Sequence, residues 1–131
     1  EFRQDDRIKD FMIAGLAQFE HMTRKIVASM NYNITDIEII SDTEIEIIAT
    51  ENEGKWRNTR QSNRIIRVIR TTESLPDSYF RKIHESMKPR NATRILIITT
   101  GDISPKALEF ANTRPIEIKG KAELVELLKK I

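Results

Sequence analysis

The sequence predicts a mixed α/β domain: a central sheet of about five strands between helices, in the order αβββαβαβα. Three observations carry that expectation. Apolar residues recur at steps of three and four across residues 4–30, the period of an amphipathic helix. Three β-rich runs follow, DIEII, EIEIIA and RIIRVIRT, with no helical pattern between them. After that, helical and strand patterns alternate to the end. A sheet that starts with hairpins and finishes in helix–strand alternation is mixed, and its apolar faces need helices on both sides.

The first helix is expected over residues 4–30, with Ile8, Phe11, Met12, Leu16, Phe19, Met22, Ile26, Val27 and Met30 as its stripe. Asp5 and Asp6 suit the positive end of the helix dipole. Gly15 is where the helix would bend or divide, and Asn31 and Asn33 end it. Strands are expected at 36–40, 44–49 and 64–71, with Ser41-Asp42-Thr43 as the first turn. Strand alternation places Glu44, Glu46 and Ile48 on one face and Ile45, Ile47 and Ala49 on the other. The segment TENEGKWRNTRQSN is too long for a tight hairpin and too polar to bury. A second helix is expected from about Pro76 to Lys88, striped by Phe80, Ile83 and Met87 and stopped by Pro89. RILIITT, residues 94–100, is an unbroken apolar run, the mark of a strand buried on both faces. Ser104 then caps a helix that has Pro105 in its first position. PIEIK is a short last strand, and Leu124, Leu127, Leu128 and Ile131 stripe a closing helix after Gly120.

A chain of 131 residues is expected to form one domain, and can bury a core without covalent staples. The absence of cysteine excludes disulfides, thiolate metal sites and cysteine nucleophiles. His21 and His84 lie far apart with no nearby ligand-type partner, which argues against a zinc site and leaves both without a role. No apolar run approaches the roughly 20 residues that span a membrane, and no secretory signal is visible, so the expected location is the cytoplasm or nucleoid. The opening Glu1-Phe2 matches what an in-frame EcoRI cloning site encodes. It is read as a remnant, and the domain as one excised from a longer protein.

A net charge of +2 conceals an uneven distribution. Residues 36–53 carry seven acids and no base, whereas residues 54–94 carry eleven bases against three acids, a net +8. Two readings follow. The basic segment meets an anionic partner such as nucleic acid, or the acidic and basic strands pair their charges across the sheet. In the polar loop, Lys55, Arg57 and Arg60 surround the only tryptophan, Trp56. Cations around an aromatic suit phosphate contacts and base stacking; the alternative is a loop whose Trp56 packs back onto the sheet. Arg64 beside that loop, and Lys88 and Arg90 in the basic turn KPRNATR, are further candidate phosphate contacts.

Three stretches carry a family resemblance. AQFEHMTRKIVASMNYNI is similar to the first helix of the Mrr-type branch of the restriction-endonuclease-like, or PD-(D/E)XK, superfamily, with Phe19-Glu20 at the family's Phe-Glu pair and Asn31-Tyr32 where Gly-Tyr is usual. SDTEIEIIA resembles the family strand Gly-Asp-Gly-Gly-Ile-Asp-Leu-Ile. RILIITTGDISPKALEFANTRPIEIKGKAELVELL resembles the family's closing strand–helix–strand–helix. The resemblance spans most of residues 15–130. It implies a three-layer nuclease fold and, in active members, Mg²⁺ held by a strand Asp and a Glu/Gln-x-Lys triplet, often with the first-helix Glu. Carboxylates hold the hard cation, the cation lowers the pKa of its water, and the lysine orients that water and offsets phosphate charge.

Carried over by position, Glu46 stands at the strand Asp and Glu20 at the helix Glu, while Asp42 is a further candidate metal ligand. Arg67 then replaces the Glu/Gln and Ile69 replaces the lysine. A one-residue slip puts Arg70 at the lysine but Val68 at the ligand, and arginine is a poor proton acceptor. The expectation is a non-catalytic restriction-endonuclease-like domain without a cofactor, which binds DNA or positions a partner inside a larger protein. One alternative is an active Mg²⁺-dependent endonuclease with a relocated base such as Lys55 or Lys82. Another is a protein–protein platform. For Glu46 itself, metal ligation competes with a cross-strand ion pair to Arg67.

Overall fold

The computed structural model describes residues 3–51 and 62–131. Helices α1 (Arg3–Ile13) and α2 (Leu16–Ser29) precede strands β1 (Tyr32–Ser41), β2 (Glu44–Glu51) and β3 (Asn63–Ile69). Then come α3 (Asp77–Glu85), a 3-10 turn at Lys88–Arg90, β4 (Ala92–Thr99), α4 (Pro105–Asn112), β5 (Ile116–Lys119) and α5 (Lys121–Lys129). The sheet runs β1-β2-β3-β4-β5. Its first two pairings are antiparallel and its last two parallel, which is the mixed sheet that the hairpin-then-alternation order implied.

The alternation of β2 and β3 splits the core in two. Ile45, Ile47, Ile66 and Val68 pack with Phe11, Phe19, Ile26 and Leu124 beneath α1, α2 and α5. Ile65, Ile69, Ile95 and Ile97 pack with Phe80, Ile83, Ala107 and Phe110 beneath α3 and α4. Strand β4 contributes to both, with Leu96 and Ile98 on the first side and Ile95 and Ile97 on the second. This is why its sequence is apolar without alternation. Strand β1 is an edge, bent by irregularities between Ile34 and Asp36 and between Ile39 and Ser41. Bulges and outward acids such as Asp36 and Glu38 discourage edge-to-edge pairing.

The single helix expected over residues 4–30 is two helices. Gly15 has extended backbone (φ −63, ψ 166) and is the N-cap of α2, so the chain breaks at the residue whose flexibility had marked a bend. The second helix is also shorter than its apolar stripe: it ends at Glu85, and Met87 leads into the 3-10 turn. Asn91 follows in the left-handed region, φ 56, where Asn is among the better-tolerated side chains. Strand β1 starts at Tyr32, earlier than the expected 36, β3 ends at Ile69 rather than 71, and Ile131 lies beyond α5 and is exposed. Ser104 Oγ accepts from Ala107 N at 3.1 Å, the expected cap. Gly101, just past β4, sits where an added Cβ would press on the Glu73 carbonyl oxygen and come within 2.8 Å of Thr71 Cγ2. Gly101→Ala is therefore expected to cost about 1–3 kcal/mol through overpacking, read as a lower urea midpoint at unchanged slope.

Candidate functional site

Glu46 lies at the centre of the candidate site because of strand parity. It shares its face with Glu44 and Ile48, and in register it opposes Arg67 on β3 and Glu38 on β1. The side chain is 3% exposed. Two guanidiniums hold the same oxygen: Arg67 Nε donates to Glu46 Oε2 at 2.8 Å, and Arg90 Nη1 lies 2.7 Å from it as an ion pair. Arg67 also reaches Glu44 Oε2 through Nη1, and the Tyr79 hydroxyl donates to that carboxylate oxygen at 2.5 Å. The Arg67 guanidinium lies 5.9 Å from the Tyr79 ring centroid. Two carboxylates, two guanidiniums and a phenol thus form one closed network, in which the formal charges cancel.

The titration of these groups follows from that arrangement. Burial alone would push the Glu46 carboxyl up, but the Arg90 and Arg67 contacts outweigh it and hold the group below its ordinary range. Burial pulls Arg67 down, yet its contacts with Glu46, Tyr79 and Glu44 together outweigh that and raise it, so the guanidinium stays charged. Burial and the hydrogen bond to Glu44 both push the Tyr79 hydroxyl up, so it acts as a fixed donor.

Mg²⁺, which the resemblance implies, does not fit this donor set. A magnesium site needs several oxygens in near-octahedral array, and among the described residues no three His, Cys, Asp or Glu side chains converge. A cation at Glu46 would have to approach two guanidiniums already bound there. Ile69, which the resemblance carries over to the lysine position in one register, is 5% exposed and belongs to the α3–α4 core with Leu75 and Phe80. Glu20 rides on α2, whose buried Phe19 and Ile26 cover the opposite face of the sheet; its carboxylate pairs with Arg24 at 3.0 Å. Asp42 stands in the exposed β1–β2 turn, where its backbone carbonyl, 2.9 Å from Arg70 Nε, accepts a hydrogen bond. The three acids weighed as candidate metal ligands are therefore dispersed.

Of the expected phosphate contacts, Lys55, Trp56, Arg57 and Arg60 lie outside the described residues. Lys88 is exposed in the 3-10 turn. Arg90 in the same turn points inward to Glu46, and Arg64 pairs with Glu51 at 2.9 Å. Lys82, a candidate relocated base, is exposed on α3. Cross-strand charge pairing thus absorbs part of the basic segment. The sequence reading did not identify Tyr79 or Glu44 as members of the network. Tyr79 is 35 residues from Glu44, and only the return of α3 across the sheet joins them.

The model of the Mrr catalytic family, described as a restriction endonuclease, matches residues 14–128. The fold is similar to that of a solved chain, the DNA modification-dependent restriction endonuclease AspBHI, with a TM-score of 0.66 at 10% identity. The match covers 99% of this chain and 36% of that one. No curated protein matches the chain.

Proposed function

Because this chain belongs to the Mrr-type restriction endonuclease family, we propose that it is a nuclease-derived, non-catalytic domain that binds DNA within a larger protein. The reading is carried by the Glu46 network: at the position that would hold the cation, Glu46 Oε2 is already held by Arg67 and Arg90, and the residue carried over to the catalytic ammonium's position is a core isoleucine. Neither group can orient or deprotonate water. The DNA-binding part is supported by the +8 middle segment, in which Lys82, Lys88 and Arg94 are exposed. The solved relative in fold is described as acting on DNA and is nearly three times as long, which supports both the partner and the larger parent. A cytoplasmic or nucleoid location goes with this reading; no helix among the described residues is long and apolar enough to cross a membrane.

Incubation with plasmid and single-stranded DNA in Mg²⁺ or Mn²⁺ is expected to leave both intact. Cleavage that disappears in Glu46→Ala would overturn the non-catalytic reading. Binding of a labelled duplex is expected to weaken steeply with salt, each neutralised phosphate adding about −0.9 to the slope of log K against log salt. Salt-independent binding, or none, would overturn the DNA-binding part and favour a protein platform.

A further inference from the structure

The sheet carries a second cationic region, on its other face. Arg64 and Arg94 are Cα partners across the parallel β3–β4 pair. They alternate with Ile65 and Ile95, which belong to the α3–α4 core, and share parity with Ile66 and Leu96 beneath α2 and α5. Glu46 and Arg67 belong to the opposite set. Together with Tyr32 and Leu96, the two arginines line a cavity of about 260 Å³, bordered at the start of β5 by Arg114 and Glu117.

Like charges in register on neighbouring strands repel, so this pair costs energy unless something negative faces it. Glu51 answers only one of the two, at 2.9 Å from Arg64 Nη2. Arg94 is exposed and, among the described residues, has no carboxylate partner. Glu117, the acid on the rim, is itself 3.5 Å from Lys119 Nζ. The Arg64 guanidinium lies 5.8 Å from the Tyr32 ring centroid, so one wall is aromatic while the base is cationic. Ligand clefts for drug-sized molecules run to roughly 300–1,000 Å³; this one suits a single small anion.

We infer that the cavity is a phosphate site, with Arg94 as its donor and Arg64, ion-paired to Glu51, as a second positive charge beside it. Guanidinium forks match phosphate oxygens two at a time, and a phosphate between the two strands converts their repulsion into attraction. The phosphate is either a diester of a nucleic-acid strand or a free anion, since both present the same oxygens. Only the first source rests on the DNA-binding reading above.

The test titrates the full chain with inorganic phosphate by calorimetry at low salt, with a labelled DNA duplex in parallel. Arg94→Ala is expected to lower phosphate affinity about tenfold or more, as loss of a charge-assisted contact would. Arg94 is exposed and its removal relieves the repulsion with Arg64, so the urea midpoint should not fall; Lys130→Ala, an exposed control, should leave affinity intact. Duplex affinity falling in parallel identifies the strand as the source. Duplex affinity holding while phosphate affinity falls identifies a free anion. No phosphate binding in the unmodified chain, no effect of Arg94→Ala, or an equal effect of Lys130→Ala would overturn the site. Failure of the chain to bind duplex at all counts against the proposed DNA-binding function, and the phosphate arm still decides the cavity.

Discussion

Replacing Arg67 with methionine is expected to destabilise the domain by about 3 kcal/mol, within the range for removing one partner of a buried ion pair. The substitution keeps apolar volume but leaves Glu46, at 3% exposure, with Arg90 alone, and Glu44 with only the Tyr79 hydroxyl. The retained Arg90 contact is why the lower end of that range applies. Adding Glu46→Gln to Arg67→Met should recover part of the loss, because the uncompensated charge is then gone. The four-variant cycle isolates that coupling. Strictly additive losses would show that the network is not one energetic unit.

The same network makes a pH prediction. The carboxyl of Glu46 is held below its ordinary range in the folded chain. A depressed folded value means that the unfolded chain binds the proton first, so the stabilisation is complete above about pH 4.3, the unperturbed glutamate value. It is lost as the pH falls through the folded value. Urea titrations at descending pH should show this component in the unmodified chain and its absence in Glu46→Gln. A profile unchanged by Glu46→Gln would place the acid sensitivity elsewhere.

Loss of Arg70 should be at least as damaging, about 3–5 kcal/mol. Hydrogen bonds to charged groups contribute roughly 1.5–3 kcal/mol each and do not add fully. Arg70 is 6% exposed. It donates to Asp42 O at 2.9 Å, Phe11 O at 3.0 Å and Ala14 O at 2.6 Å, and its guanidinium lies 4.1 Å from the Phe19 ring centroid. The Phe11 and Ala14 carbonyls belong to the end of α1, where no intrahelical donor remains and a cation faces the negative end of the dipole. One side chain therefore ties α1, α2 and the β1–β2 turn to the end of β3. Arg70→Lys should recover little, since a single ammonium cannot span the three acceptors. Hydrogen exchange is expected to report α1 opening first in Arg70→Ala; a loss below about 1 kcal/mol would refute the anchoring role.

Neither register of the family resemblance, with Ile69 or Arg70 carried over to the lysine, suggests such a role for Arg70. In sequence it is one more arginine in a basic run, and what distinguishes it is the placement of carbonyls 56 and 59 residues away. The division at Gly15, by contrast, is marked in the sequence by the glycine itself; what the sequence does not display is the arginine that binds the carbonyls beside it. Arg90 shows the limit from the other side: a basic turn read as a phosphate contact turns inward, because a buried carboxylate lies within its reach.

Local chemistry alone determined that five strands form and in what order, the Ser104 cap and the doubly buried β4. These depend on side-chain period and residue type, which a linear chain displays. Which charges meet was decided only by tertiary structure. Glu46 could have faced a cation or a guanidinium, and long-range packing brought Arg67 and Arg90 to it from separate elements, and Tyr79 to its neighbour Glu44. Coulomb energies depend on distance and burial, and neither is a property of position along the chain.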